Sequence, residues 1–228
     1  MIIAGMIKSS LIDYPGHVSC VLFVPGCNFN CFYCHNRSLL DSSYTIIDPR
    51  VVEDFLKKRA GLLDGAVITG GEPTLHHDLI PYLEKIKALG YKIKLDTNGS
   101  NPEVIKQVLQ SGLCDYFAVD YKAPAAKYKE ICGGNADAGP VLETINILLG
   151  SNADFEVRTT VIPQLGEDDL MQMAKELPRL PRYMLNRYRR PEKYRPSDAK
   201  KVSQKPYTDD RLKELARLIS DIQPNTVA

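Results

Sequence analysis

Three cysteines in one short stretch carry the most explicit chemistry in the chain. Cys27, Cys31 and Cys34 have the spacing C-x3-C-x2-C. Thiols at i, i+4 and i+7 would share one helical face and could be small core residues. The surrounding run PGCNFNCFYCHN argues against a helix, because Pro25, Gly26, Asn28 and Asn30 are poor helix formers. A loop that wraps thiolates around a metal fits better. Structural zinc, completed by His35 or a distant cysteine, is one candidate. Zinc ligands usually come as two separated pairs, however, and no second pair follows. An iron–sulfur cluster on three cysteines is the other, and it would leave one iron open to a substrate.

Other polar clusters are ambiguous alone. Gly70-Gly71-Glu72-Pro73 could be an ordinary strand-to-helix turn, and Asp96-Thr97-Asn98-Gly99 contains the common Asn-Gly turn pair. Asp120 and Lys122 could be a surface ion pair of little energetic weight. Arg158 could pair with a core acid or with a bound carboxylate. His17, His76 and His77 read as loop or helix-start residues, and His35 follows the cysteine loop. Asp13 could cap a turn or lie at the mouth of a site. Cys20, Cys114 and Cys132 read as core or unreactive thiols.

The elements expected to position these groups alternate between strand and helix. Strands are expected at 18–24, 66–69, 91–95, 116–119, 155–162 and 182–185. Helices are expected at 48–60, 77–89, 101–110, 139–149, 167–177 and 209–222, with Pro49 and Pro102 at helix starts. This alternation implies an α/β fold with a parallel sheet and right-handed crossovers, either an open doubly wound sheet or a complete or partial barrel. Reactive groups then belong at the C-terminal ends of strands. The cysteine loop, GGEP, DTNG and DYK each follow a strand, as that rule requires. Residues 1–228 read as one domain, with 187–228 a basic loop and terminal helix. Residues 187–205 carry eight lysines and arginines against Glu192 and Asp198, a solvated face or a surface for an acidic partner.

The chain has 228 residues, with 29 Lys and Arg against 28 Asp and Glu. That balance excludes bulk-charge binding to nucleic acid or membrane surfaces. The apolar runs are far shorter than the roughly 20 residues of a transmembrane helix. Six cysteines are too few for a disulfide scaffold, and the N-terminus lacks a basic leader region, so a cytoplasmic location is expected.

The cysteine spacing, with Tyr33 before the last thiol, resembles the signature of the radical S-adenosylmethionine (SAM) enzymes. SLIDYPG at 10–16, the CHN ending at 34–36, GGEP and DTNG resemble, in that order, the glycyl-radical-enzyme activases. Within these, the chain is most similar to the activating proteins of anaerobic ribonucleoside-triphosphate reductase, which are related to pyruvate formate-lyase activating enzyme. The likeness is strong from Ser9 to Lys122 and thin beyond Arg158.

The resemblance implies a partial (β/α)6 barrel with helices outside the parallel sheet. It implies a [4Fe–4S] cluster on Cys27, Cys31 and Cys34 whose fourth iron holds SAM. Cleavage of SAM would yield a 5′-deoxyadenosyl radical that takes a hydrogen atom from a glycine of a partner enzyme, with flavodoxin or ferredoxin as electron donor. By the same resemblance Tyr33, Gly70, Gly71, Glu72, Asp96, Thr97, Asn98, Lys122 and Arg158 bind SAM. Asp96, Thr97 and Asp120 would hold a monovalent cation beside the SAM carboxylate. No acid/base side chain is assigned. The related enzyme's SAM-contacting histidine is missing near Asn186-Arg187-Tyr188. The rival readings are a radical SAM enzyme acting on a small molecule, such as 7-carboxy-7-deazaguanine synthase, and a zinc-stabilised binding module.

Overall fold

The computed structural model describes residues 1–41 and 43–228. Packing divides the chain into two compact units. The first comprises Met1–Cys27, Ser38–Thr97 and Glu103–Ala118; the second comprises Asn28–Arg37, Asn98–Pro102 and Val119–Ala228.

The first unit opens with β1 (Gly5–Ser10), antiparallel to β2 (Ser19–Val24). After α1 (Arg37–Leu40) and α2 (Pro49–Arg59), β3 (Gly65–Gly70) lies parallel to β2, with Val24 opposite Gly70. A 3-10 turn (Pro73–Leu75) and α3 (Leu79–Ala88) return the chain to β4 (Lys92–Thr97), parallel to β3 with Ile68 opposite Leu95. α4 (Pro102–Ser111) leads to β5 (Tyr116–Asp120), whose last two residues belong to the second unit. Strands covered on both faces need apolar side chains on both, and Cys20, Val21, Leu22, Ala66, Val67, Ile68, Ile93 and Leu95 are buried. Asp48 caps α2 by accepting from Arg50 N, as the Asp-Pro signal predicts.

SLIDYPG fills the connection from β1 to β2, at the opposite end of β2 from the cysteine loop. Tyr14 is buried against Val21 and Val67, and the absence of a side chain at Gly65 lets its ring approach the β3 backbone. Asp13 Oδ2 accepts from Ser10 Oγ at 2.5 Å, a bond that fits the turn role.

The second unit continues with α5 (Tyr128–Cys132), α6 (Ala138–Leu149), β6 (Asp154–Val161), α7 (Glu167–Glu176) and β7 (Tyr183–Arg187). It closes with α8 (Ala199–Val202), α9 (Asp209–Ile219) and β8 (Thr226–Val227). β6, β7 and β8 pair in parallel, in chain order. Asp137 and Thr208 cap α6 and α9, whose apolar stripes bury Val141, Ile145 and Leu148, and Leu212, Leu215 and Ile219. All six expected strands are present. β1, α1, α5, α8 and β8 are additional to the elements expected from the sequence, and β4 extends two residues further, through Asp96 and Thr97.

Candidate active site

In the first unit β2, β3 and β4 end on one rim, and their parallel register decides which loops meet there. Gly71 N donates to Val24 O and Glu72 N to Gly26 O, both at 2.8 Å. The two chain segments therefore run in backbone contact just before Cys27. A Cβ on Gly71 would lie 1.8 Å from Gly26 O, and Gly70 has φ +114°, so both positions require glycine. Glu72 is fully buried. Its Oε1 accepts from Thr74 N at 3.0 Å, Thr74 Oγ1 at 2.6 Å and Thr97 Oγ1 at 2.7 Å. His76 Nε2 lies 2.9 Å from Pro25 O, bracing the same loop. Asp96 Oδ1 accepts from Lys94 Nζ at 2.5 Å, two residues back on the same face of β4.

In the second unit Cys31 is buried, and Cys34 is half-buried. Hydrogen bonding to Cys132, then burial, raises the Cys31 pKa well above the ordinary thiol value; burial raises that of Cys34. Tyr33 is buried and its hydroxyl has no hydrogen-bond partner among the described residues. Burial, reinforced by Cys31, pushes this phenol up despite the nearby Lys122. Asp120 Oδ2 accepts from Lys122 Nζ at 2.9 Å and Asp120 Oδ1 from Arg158 Nε at 3.0 Å. Burial opposes the charge on Asp120, but these two cations win and hold its carboxyl far below the usual range.

The loop itself is tied by backbone. Asn30 N donates to Cys132 O at 2.8 Å, and Cβ atoms on Gly133 or Gly134 would lie 3.0 Å from Asn30 O or Asn28 O. Asn98 Nδ2 donates to Asn28 Oδ1 at 2.8 Å, which joins DTNG to the cysteine loop. From the basic tail, Lys201 Nζ sits 5.3 Å from the centre of the Phe32 ring, and the backbone at Arg189 hydrogen-bonds His35, whose pKa burial lowers. At the position of the missing histidine, Tyr188 is buried and donates to Val202 O at 3.0 Å, while Asn186 and Arg187 are exposed.

Comparison with known proteins decides the family. Residues 21–177 match the model of the Radical SAM superfamily. The chain belongs to the radical SAM superfamily. A protein of Methanocaldococcus jannaschii named "Putative glycyl-radical enzyme activating enzyme" is 32% identical over 235 residues, spanning 99% of this chain and 95% of the relative. The 7-carboxy-7-deazaguanine synthase of Thermococcus kodakarensis is 32% identical over 126 residues, spanning 46% of this chain and 49% of that protein. SuiB of Streptococcus suis, solved bound to S-adenosylmethionine, shares the fold, with a TM-score of 0.66, 15% identity and coverage of 88% of this chain and 48% of that chain.

A radical SAM enzyme uses a [4Fe–4S] cluster and SAM. The donor chemistry here suits a cluster: three reduced cysteines on a loop fixed by backbone, with an unpartnered buried phenol and a lysine beside Cys31. Among the described residues no three His, Cys, Asp or Glu side chains converge on a single metal ion. A cluster asks less convergence of its thiolates, because each binds a separate iron. A monovalent cation is a poorer fit. Asp96 is ion-paired with Lys94, and Asp120 with Lys122 and Arg158.

The sequence reading missed Lys94 and Cys132. Lys94 lies within the strand expected at 91–95, and only its i, i+2 relation to Asp96 marks it. Cys132 meets Cys31 across 101 residues, which no local pattern reveals.

Proposed function

We propose that this radical SAM enzyme is an activase that generates a glycyl radical in a partner enzyme of the anaerobic ribonucleotide reductase class. The observation that carries the activase reading is similarity over nearly the whole chain to the Methanocaldococcus jannaschii relative named for activating a glycyl-radical enzyme, a name that specifies no partner. The SLIDYPG and CHN stretches support the same reading. In this reading residues 1–228 act as one domain, which is in keeping with a family match that runs through parts of both units.

Cys27, Cys31 and Cys34 would hold the cluster. Gly70 and Gly71 let the GGEP turn lie against the backbone at Val24 and Gly26, Glu72 shapes that turn through hydrogen bonds from Thr74 and Thr97, and the turn's carbonyls would receive the SAM amino group. By the family resemblance Tyr33, Asp96, Thr97, Asn98, Lys122 and Arg158 would contact SAM, with Asp120 orienting Lys122 and Arg158. A bound cluster would supply the one electron that breaks the S–C5′ bond of SAM into methionine and a 5′-deoxyadenosyl radical, which would take a hydrogen atom from the glycine Cα to leave 5′-deoxyadenosine and the glycyl radical. Phe29, Phe32 and Tyr33 are buried and would keep water from the reacting groups. A flavodoxin- or ferredoxin-type protein would deliver the electron.

The test mixes anaerobically reconstituted protein, SAM, reductant and candidate reductase, and reads the glycyl doublet by electron paramagnetic resonance. A doublet that requires all four components supports the proposal. Formation of 5′-deoxyadenosine with no doublet on any glycyl radical enzyme from the same cell rejects it. The partial match to 7-carboxy-7-deazaguanine synthase favours a second reading, chemistry on a small molecule. Turnover of that synthase's substrate by this protein would select it.

A further inference from the structure

We infer that the Lys94 ammonium supplies the positive charge that the family resemblance would assign to a monovalent cation on Asp96. The inference rests on the reading that Asp96 borders SAM. Lys94 is 2% exposed, so its charge has left water and needs a partner held in place. β4 provides it: Lys94 and Asp96 project from the same face, and Nζ lies 2.5 Å from Oδ1. The next residue, Thr97, points to the opposite face and spends its hydroxyl hydrogen on the buried Glu72. A sodium or potassium ion on Asp96 would sit beside an ammonium it could not displace without leaving a buried lysine unpaired. The strand therefore carries a tethered cation, available at every ionic composition, that offsets the like charges of Asp96 and the SAM carboxylate.

Two behaviours follow. SAM affinity of the native protein is indifferent to the identity of the monovalent cation. Removing the tethered charge makes affinity dependent on a free one.

The test measures SAM binding to the reconstituted full chain by calorimetry in choline, potassium and ammonium chloride at ~150 mM, where screening is matched. For the native protein the three dissociation constants should agree within about twofold. For Lys94→Met the constant in choline should weaken about tenfold or more, as expected when a charge-assisted contact is lost, and recover in potassium or ammonium. Lys94→Arg should retain most of the native affinity without added ions. A native protein that gains about fivefold or more in potassium overturns the inference, as does Lys94→Met binding like native in choline. If Lys94→Met does not fold, the native comparison still decides. Native protein with a full cluster that binds no SAM in any buffer overturns the reading of the site itself, a result distinct from cation-dependent binding.

Discussion

Replacing Gly71 with alanine tests the register that places the GGEP loop against the segment before Cys27. The new Cβ would stand 1.8 Å from Gly26 O, and both partners are backbone, so no side chain can swing away. The loops must separate by more than 1 Å to reach ordinary contact, which lengthens the 2.8 Å bonds from Gly71 N and Glu72 N. Overpacking costs about 1–3 kcal/mol and each impaired hydrogen bond about 1 kcal/mol, so a loss of about 3 kcal/mol is expected. For a chain of this size that lowers Tm by roughly 6–12 °C. Gly139→Ala is the control: its Cβ would meet nothing closer than 3.5 Å, and alanine in α6 should stabilise by about 0.5–1 kcal/mol. Thermal unfolding of both variants, followed by circular dichroism, reads the two signs. Gly71→Ala should also bind SAM more weakly after reconstitution. A Gly71→Ala protein that melts within about 1 °C of native and binds SAM normally would show that the loops are not in this contact.

Cys31→Ala should lose the visible absorbance of the cluster and form no 5′-deoxyadenosine under dithionite; cleavage by that variant would remove Cys31 from the ligand set. Thr97→Val deprives the buried Glu72 carboxylate of one donor and should cost about 1–3 kcal/mol in urea unfolding, whereas an unchanged midpoint would mean Thr97 bears no such bond. Asp120 titrates below its unfolded-state pKa of 3.8, so the stability it confers is complete above pH ~4 and is lost as pH falls further. Asp120→Asn should accordingly destabilise by about 2 kcal/mol near neutrality, and its deficit relative to native should shrink toward pH ~3. A deficit that is constant with pH would mean that the Asp120 carboxylate does not carry it.

The sequence made the repeating elements readable because strands buried on both faces need unbroken apolar runs, as in VLFV and AVI, and because Asp48-Pro49 and Asn101-Pro102 mark helix starts. β1 escaped because its middle residues are exposed, leaving no alternation to detect. α5 has five residues and β8 two, too short to establish a period. The site motifs were legible where spacing alone carries the chemistry, as in the cysteines and the paired glycines. The partners of charged groups were not. Asp96 could be expected to meet a cation, but that the cation is Lys94 depends on β4 continuing through Thr97. SLIDYPG proves to be a buttress at the far end of β2, because Tyr14 packs over Gly65.

The Cys132-Gly133-Gly134 turn, pressed onto the backbone at Asn28 and Asn30, has a consequence for how the enzyme matures. A loop already shaped by peptide contacts surrenders little conformational entropy when inorganic sulfide and iron arrive. Cofactor insertion should then resemble filling a mould rather than folding a segment, leaving backbone circular dichroism nearly the same before and after loading.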